Sequence, residues 1–162
     1  TLNENVGIGA NIVTFSNTLD ATTKGAEALS ITGNAVFNST VGNTKELGAL
    51  AVSGTTTFNA GATSVKTDAT ANTGNQTYSG LVTLNDNLSL LATTAGTIAL
   101  NGALTGNAKS LTISAPTLVR FGDGIGADSL LGLSSLDVTG PTQIKSQAVT
   151  TSGTQRDRKS VV

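Results

Sequence analysis

The stretch from Gly122 to Asp128 has the residue types of a calcium-binding loop. It reads Gly-Asp-Gly-Ile-Gly-Ala-Asp, and glycine-rich loops with regularly spaced aspartates bind calcium in tandem nonapeptide rolls. Such rolls take ligands from adjacent repeats, whereas this stretch occurs once and the corresponding segment near Val41 has no aspartate. We therefore predict an ordinary turn and no metal or cofactor site, and we keep Asp123 and Asp128 only as weak metal candidates.

Carboxylate catalysis is the second chemistry to consider. A glycosidase or lyase built on stacked strands needs two or three carboxylates that converge on one face. The ten acidic residues are scattered along the chain, and the only group close in sequence is Arg120, Asp123, Asp128 and Asp137. Histidine, the commonest general base, is absent, as is cysteine. We predict solvated turn residues, no catalytic residue and no enzymatic activity.

The composition predicts strands and turns as the elements that carry these residues. The 162 residues include 28 Thr and 19 Gly, with 12% charged and 3% aromatic residues. Such a chain is rich in β-branched residues and turn formers. With 38% hydrophobic residues and a net charge of -1, it does not have the profile of a disordered chain. The balance of charge also disfavours nucleic acid as a partner.

An eleven-residue segment that occurs twice organises the chain. Ala28-Leu-Ser-Ile-Thr-Gly-Asn-Ala-Val-Phe-Asn38 returns as Ala49-Leu-Ala-Val-Ser-Gly-Thr-Thr-Thr-Phe-Asn59, and five positions are identical. Apolar residues alternate with period two on both sides of a central glycine, which is typical of two short strands joined at a bend. Later in the chain, Asn101-Gly102 is a further turn signal.

The fixed spacing predicts a solenoid. Ser135 to Ile144 is a third copy of the segment, and Leu111 to Pro116 keeps its first half. A β-sandwich gives no reason for one side-chain pattern to recur at one spacing, whereas each turn of a solenoid needs its neighbour to bury its inner face. We predict an all-β parallel β-helix of about seven turns with roughly 21–25 residues per turn, about 33 Å long at ~4.8 Å per turn.

The spacing also predicts which side chains lie over one another. Leu29 would stack on Leu50, Ile31 on Val52, and Phe37 on Phe58. The asparagines that follow the two phenylalanines would form an amide ladder. The glycines at 33, 54 and 140 would occupy corners where a side chain obstructs the turn.

The last residues break the pattern. Asp157 to Val162 reads Asp-Arg-Lys-Ser-Val-Val, and its reverse translation, GAT CGG AAG AGC GTC GTG, resembles a sequencing adapter. We divide the chain into a β-helix fragment at 1–155 and a non-native or disordered tail at 156–162, with adapter-derived sequence suspected from 157. The alternative is a natural basic tail. Because the chain starts at Thr1 with no apolar leader, we expect an internal piece of a longer, environmental gene product.

Three phrases resemble a known family. Leu-x-Val-x-Gly-x-x-x-Phe, Gln76-Thr-Tyr-Ser-Gly-x-Val-Thr-Leu84 and Val149-Thr-Thr-Ser-Gly-Thr-Gln155 are similar to the repeat shaft of filamentous-haemagglutinin-like exoproteins. These are large bacterial surface proteins that leave the cell by two-partner secretion or as autotransporters. The resemblance covers residues 11 to 155 and implies a right-handed parallel β-helix. No functional residue carries over from it.

The resemblance also implies a function. We expect a structural and adhesive shaft of a secreted protein at the bacterial surface, which presents a distal binding region for adhesion or biofilm formation. The expected partners are glycans or proteins of a host or neighbouring cell, bound outside this fragment, and an outer-membrane export partner of the full-length protein. The alternative is a carbohydrate-active β-helix enzyme or a phage tailspike fragment. At least two carboxylates within about 10 Å of each other in one groove would favour the enzyme.

Overall fold

The chain folds as a parallel β-solenoid. The structure is a computed structural model and describes residues 1–126 and 128–158. Those residues form seventeen strands and no helix, and every strand pairing is parallel. Consequently, the described part also has no helix that could cross a membrane. The predicted all-β parallel β-helix is confirmed.

Three faces run along the solenoid, and the first two are halves of one twelve-stranded sheet. Strands β1 (Val6–Phe15) and β2 (Ala28–Phe37) each cross both halves. The first face continues through β3 (Ala49–Val52), β6 (Gln76–Tyr78), β9 (Thr97–Leu100), β12 (Leu118–Phe121) and β15 (Thr142–Ile144). The second face continues through β4 (Thr56–Phe58), β7 (Val82–Leu84), β10 (Leu104–Thr105), β13 (Ser129–Leu133) and β16 (Ala148–Thr151).

The third face is a separate five-stranded sheet. Its strands are β5 (Ser64–Asp68), β8 (Leu88–Thr93), β11 (Ser110–Ser114), β14 (Ser135–Thr139) and β17 (Gln155–Arg158). In the first two turns this face is reduced to isolated bridges, such as the one between Leu19 and Val41. The seven strands of the first face therefore correspond to about seven turns, as predicted. The right-handed sense stays a prediction.

The strand register confirms the predicted stacking. Leu29 pairs with Leu50 and Ile31 with Val52, and the side chains of all four are buried. The separation in sequence between paired residues ranges from 18, between Leu133 and Thr151, to 26, between Leu50 and Gln76. The range is wider than the prediction because the loops between faces differ in length from turn to turn and because the register shifts within β13 between Leu130 and Leu133.

Aromatic rings form the centre of the core in the first four turns. The rings of Phe15 and Phe37 are stacked with centroids 5.2 Å apart, and those of Phe37 and Phe58 with centroids 5.5 Å apart. Tyr78 then meets Phe58 edge-on at 5.8 Å. Offset-stacked and edge-to-face pairs each add about 0.5–1.5 kcal/mol beyond burial. The stack therefore couples four successive turns.

The predicted amide ladder is present and longer than predicted. The Nδ2 of Asn59 donates to Oδ1 of Asn38 at 2.8 Å. The Nδ2 of Asn85 donates to Asn59 at 2.8 Å, and that of Asn107 donates to Asn85 at 3.1 Å. Each asparagine lies after a strand of the second face, so four consecutive turns are joined along one edge.

Glycines occupy the corner between the first and second faces. A Cβ on Gly54 would lie 2.5 Å from the carbonyl oxygen of Gly33, and one on Gly80 would lie 2.6 Å from that of Gly54. Gly33 also has φ of 133°, a region that side chains disfavour. The backbones of successive turns therefore approach too closely at this corner for any side chain.

Gly140 also lies at a corner, but at a different one. A Cβ there would clash with the carbonyl oxygen of Ala115, because the residue follows β14 on the third face. The third copy therefore runs from the third face to the first, whereas the first two copies run from the first face to the second. It stacks on the partial copy instead, with Leu111 paired to Leu136. The local pattern of strand, glycine and strand identifies a corner without saying which corner it is.

The last described strand includes part of the predicted tail. β17 pairs with β14 and places Asp157 opposite Val138, in the column that Leu90 and Ile113 occupy in earlier turns. A carboxylate thus takes an apolar position, and all four residues of β17 are exposed. Residues 159–162 lie outside the described residues, and the origin of the tail stays a prediction.

Candidate functional site

Residues 122–126 follow β12, with 123–126 exposed, and residue 128 precedes β13. One oxygen of the Asp123 carboxylate accepts a hydrogen bond from the backbone N–H of Ile125 at 2.7 Å, which is the geometry of an Asx turn. Asp128 accepts a hydrogen bond from the backbone N–H of Gln147 through its carbonyl oxygen. Across residues 1–126 and 128–158, no three His, Cys, Asp or Glu side chains are grouped to hold a metal ion.

The residues considered for catalysis have separate partners. Arg120 on the first face donates from Nε and Nη2 to Oδ1 of Asn101 at 3.2 and 2.7 Å. Asp137 on the third face pairs with Arg158 at 3.3 Å. Asp123 binds within its own loop. The structure therefore does not assemble Arg120, Asp123 and Asp137 into a common site.

A charged cluster that the sequence did not predict lies at the corner after the third face. The Nζ of Lys24 is 3.4 Å from Oδ2 of Asp68 and 3.9 Å from Oε1 of Glu46. The two carboxylates therefore share one ammonium group. The side chain of Lys24 is 54% exposed, whereas that of Asp68 is 0% exposed.

Threonines surround the Asp68 carboxylate. Oδ1 accepts hydrogen bonds from the backbone N–H of Thr70 at 2.7 Å and from its hydroxyl. Oδ2 accepts from the hydroxyls of Thr93 at 2.6 Å and Thr94 at 2.9 Å. Burial raises the pKa of Asp68, but these hydrogen bonds oppose it and hold the pKa well below its usual range.

This environment makes Asp68 a structural anion. A glycosidase requires one carboxylic acid that holds a proton near neutral pH, and the low pKa of Asp68 keeps its carboxylate ionised. Its oxygens are also occupied by donors from its own turn and from the next turn. Asp68 therefore joins two neighbouring corner loops, while Lys24 from an earlier turn covers it. Although Asp68 and Glu46 share the ammonium group of Lys24, the Asp68 side chain is buried and does not face a substrate groove.

Buried polar side chains next to Asp68 extend the network into the core. Gln76 donates from Nε2 to the carbonyl oxygen of Leu91 at 2.9 Å and accepts from the hydroxyl of Tyr78 at 3.1 Å. The hydroxyl of Thr67 donates to the carbonyl oxygen of Gly74 at 2.6 Å. Burial raises the pKa of Tyr78, so this phenol stays protonated and donates its hydrogen bond. These bonds satisfy polar groups inside the rod, and all three side chains are fully buried.

The outer surface of the second face is neutral. Its central row is set by the strand register and consists of Thr14, Val36, Thr57, Thr83, Thr105 and Leu131. A groove of about 670 Å³ lies at the end of this row, between Asn107, Leu131 and Thr150. Its lining contains hydroxyl, amide and aliphatic groups and no charged side chain. This face offers weak polar and apolar contacts.

No family model, no curated protein and no solved structure matches the chain.

Proposed function

We propose that the chain is the β-helical shaft of a large secreted bacterial surface protein that presents a distal binding region for adhesion or biofilm formation. The observation that carries the proposal is the continuous stacking of like residues, with Leu29 on Leu50 and Phe37 on Phe58. Each added turn extends a solenoid of this kind by about 4.8 Å, so the number of turns sets the distance between the two ends of the rod. The binding partners, surface glycans or proteins, would contact a region outside this chain.

The distribution of charge supports a structural role. The most deeply buried carboxylate among the described residues, Asp68, is engaged by threonines, and the residues first considered for catalysis are dispersed over separate faces. The neutral outer row of the second face suits weak, repeated contacts better than tight recognition of one ligand. Export through an outer-membrane partner and location at the cell surface belong to the same proposal.

Shortening the shaft by whole turns tests this function. In the full-length gene, deletion of residues 59–84 removes one turn and joins Phe58 to Asn85, which keeps every column in register. Deletion of residues 38–106 removes three turns and joins Phe37 to Asn107. We expect both proteins to reach the cell surface, with adhesion under flow falling as more turns are removed. Retention inside the cell, or adhesion independent of length, would contradict the proposal.

Polysaccharide turnover tests the enzymatic alternative. The purified chain is incubated with a panel of neutral and acidic polysaccharides, and the release of reducing ends is measured. We expect no release above that of a boiled sample. Turnover that is lost in Asp123→Ala would overturn the shaft proposal in favour of a carbohydrate-active enzyme.

A further inference from the structure

The Asn101-Gly102 pair lies at the corner between β9 and β10 instead of in a hairpin turn. It is the only Asn-Gly pair in the sequence. We propose that Asn101 is a site of spontaneous deamidation in the folded chain, promoted by Arg120, with aspartate as the main product. The proposal is independent of the shaft function.

The nucleophile would be the backbone nitrogen of Gly102. At the same corner of an earlier turn, the backbone N–H of Gly54 donates to the carbonyl oxygen of Gly33 at 2.9 Å. Within the described residues, the N–H of Gly102 donates no hydrogen bond, although Gly102 is buried. Buried N–H groups without a partner are rare. Nothing therefore holds the proton that this nitrogen must release.

The electrophile would be the side-chain carbonyl carbon of Asn101. The guanidinium of Arg120 donates to Oδ1 from Nε at 3.2 Å and from Nη2 at 2.7 Å. When a nucleophile adds to Cγ, negative charge develops on this oxygen. Donors that already point at the oxygen stabilise such charge without reorganisation. Arg120 therefore lowers the barrier to attack by Gly102.

The Nδ2 of Asn101 would leave as ammonia in this reaction. Ladder asparagines bind through Nδ2, as Asn59, Asn85 and Asn107 do. In the described part of the chain, the Nδ2 of Asn101 has no such bond, and the residue is partly exposed. Solvent can therefore protonate and remove it.

The reaction needs only water. The Gly102 nitrogen loses its proton to hydroxide and forms a bond to Cγ of Asn101. Nδ2 then takes a proton from water, the bond from Cγ to Nδ2 breaks, and ammonia leaves. Water then opens the cyclic imide. Cleavage between Cγ and the Gly102 nitrogen gives aspartate, whereas cleavage between the Asn101 carbonyl carbon and that nitrogen gives isoaspartate.

The corner geometry selects between these products. A Cβ on Gly102 would lie 2.6 Å from backbone atoms of Gly80, so the corner has little room for the extra methylene that isoaspartate adds to the backbone. Aspartate keeps the backbone unchanged and places a carboxylate against Arg120. A charge-assisted bond of this kind is stronger than the amide bond that it replaces. The modification would tighten the contact between β9 and β12.

Peptide mapping by mass spectrometry tests the proposal. The folded chain is incubated at mildly alkaline pH, and conversion of each asparagine is followed over time alongside Arg120→Gln and Arg120→Lys. We expect Asn101 to convert faster than the other asparagines, with aspartate exceeding isoaspartate. We expect conversion to slow about tenfold in Arg120→Gln and by less in Arg120→Lys, which keeps one donor group. In urea the three chains should convert at one rate, with isoaspartate as the main product.

Three results would overturn the proposal. They are an unmodified Asn101 in the folded chain, equal rates for the folded parent and Arg120→Gln, and a difference between them that persists in urea. Circular dichroism of Arg120→Gln confirms that its fold is intact.

Discussion

The carboxamide of Asn59 donates to that of Asn38 at 2.8 Å and accepts from that of Asn85 at the same distance. Asn59 is thus an interior member of a ladder, whereas Asn38 is its first member. Because each amide in a chain of hydrogen bonds polarises the next, interior members matter most. The ladder fixes the register of the second face along its edge.

Loss of an interior ladder amide should destabilise the rod. We expect Asn59→Ala to lower the free energy of unfolding by about 1–3 kcal/mol, since it removes two ladder bonds and leaves the partly buried amide oxygen of Asn38 without its donor. Asn38→Ala should cost less because it removes one ladder bond. Asn43 is exposed, and its side chain accepts a hydrogen bond from Nζ of Lys66 at 3.3 Å outside the ladder, so Asn43→Ala is the matched control. Urea unfolding gives the three values, and equal losses for Asn59→Ala and Asn43→Ala would contradict the ladder.

The aromatic stack predicts a larger loss at its centre. Phe37 is fully buried and stacks on both Phe15 and Phe58. Phe37→Ala should therefore lower the free energy of unfolding by about 3–5 kcal/mol. Ile125 is 78% exposed, and Ile125→Ala should change it by less than about 0.5 kcal/mol. Denaturation of both variants by urea checks this, and a small effect at Phe37 would mean that the rings are not packed in a column.

The Asp68 network predicts a pH-dependent stability. Asp68→Asn should cost about 2–4 kcal/mol at neutral pH, because it removes a buried charge that several donors satisfy. Lys24 is 54% exposed, so Lys24→Gln should cost less than about 1 kcal/mol. Since the pKa of Asp68 is lowered on folding, its contribution is complete above the unfolded pKa of about 3.9. It is lost as pH falls below that value.

Urea unfolding at a series of pH values measures this effect. The stability difference between the parent chain and Asp68→Asn should be constant from pH 7 to about 4 and shrink below it. A difference that stays constant into strong acid would contradict the assigned role of the carboxylate.

Much of this fold could be predicted from spacing alone. Two copies of one segment were enough to place Leu29 over Leu50 and Asn38 near Asn59, because residues at equal phase in a solenoid repeat their environment. The sequence also contains a signal for the extension of the ladder to Asn85. In both Leu84-Asn85 and Phe58-Asn59, an asparagine directly follows an apolar residue.

Other features could not be predicted. The face occupied by Ser135 to Thr139 depends on accumulated loop lengths, and the pattern of strand, glycine and strand occurs at more than one corner of the rod. The Asp68 network draws on Lys24 from an earlier turn and on Thr93 from a later one. Only the neighbouring Thr70 gave a local signal, as an aspartate followed two residues later by a threonine.

The corner glycines predict strong steric sensitivity. A Cβ on Gly54 would lie 2.5 Å from the carbonyl oxygen of Gly33, so we expect Gly54→Ala to lower the free energy of unfolding by about 1–3 kcal/mol or more. Gly7 has no atom within 4 Å of a Cβ, and Gly7→Ala should be tolerated. Soluble yield and thermal unfolding distinguish the two. Equal behaviour would mean that successive corners are not in contact.

Disulfide trapping tests the stacking of successive turns most directly. The chain has no cysteine, so Thr57→Cys combined with Thr83→Cys places two thiols on adjacent strands that pair in register, about 5 Å apart at Cα and within the span of a disulfide. Thr57→Cys with Thr77→Cys places them on different faces. The solenoid predicts rapid oxidative crosslinking of the first pair and little of the second. Efficient crosslinking of the second pair, with none of the first, would contradict the fold on which the proposed shaft depends.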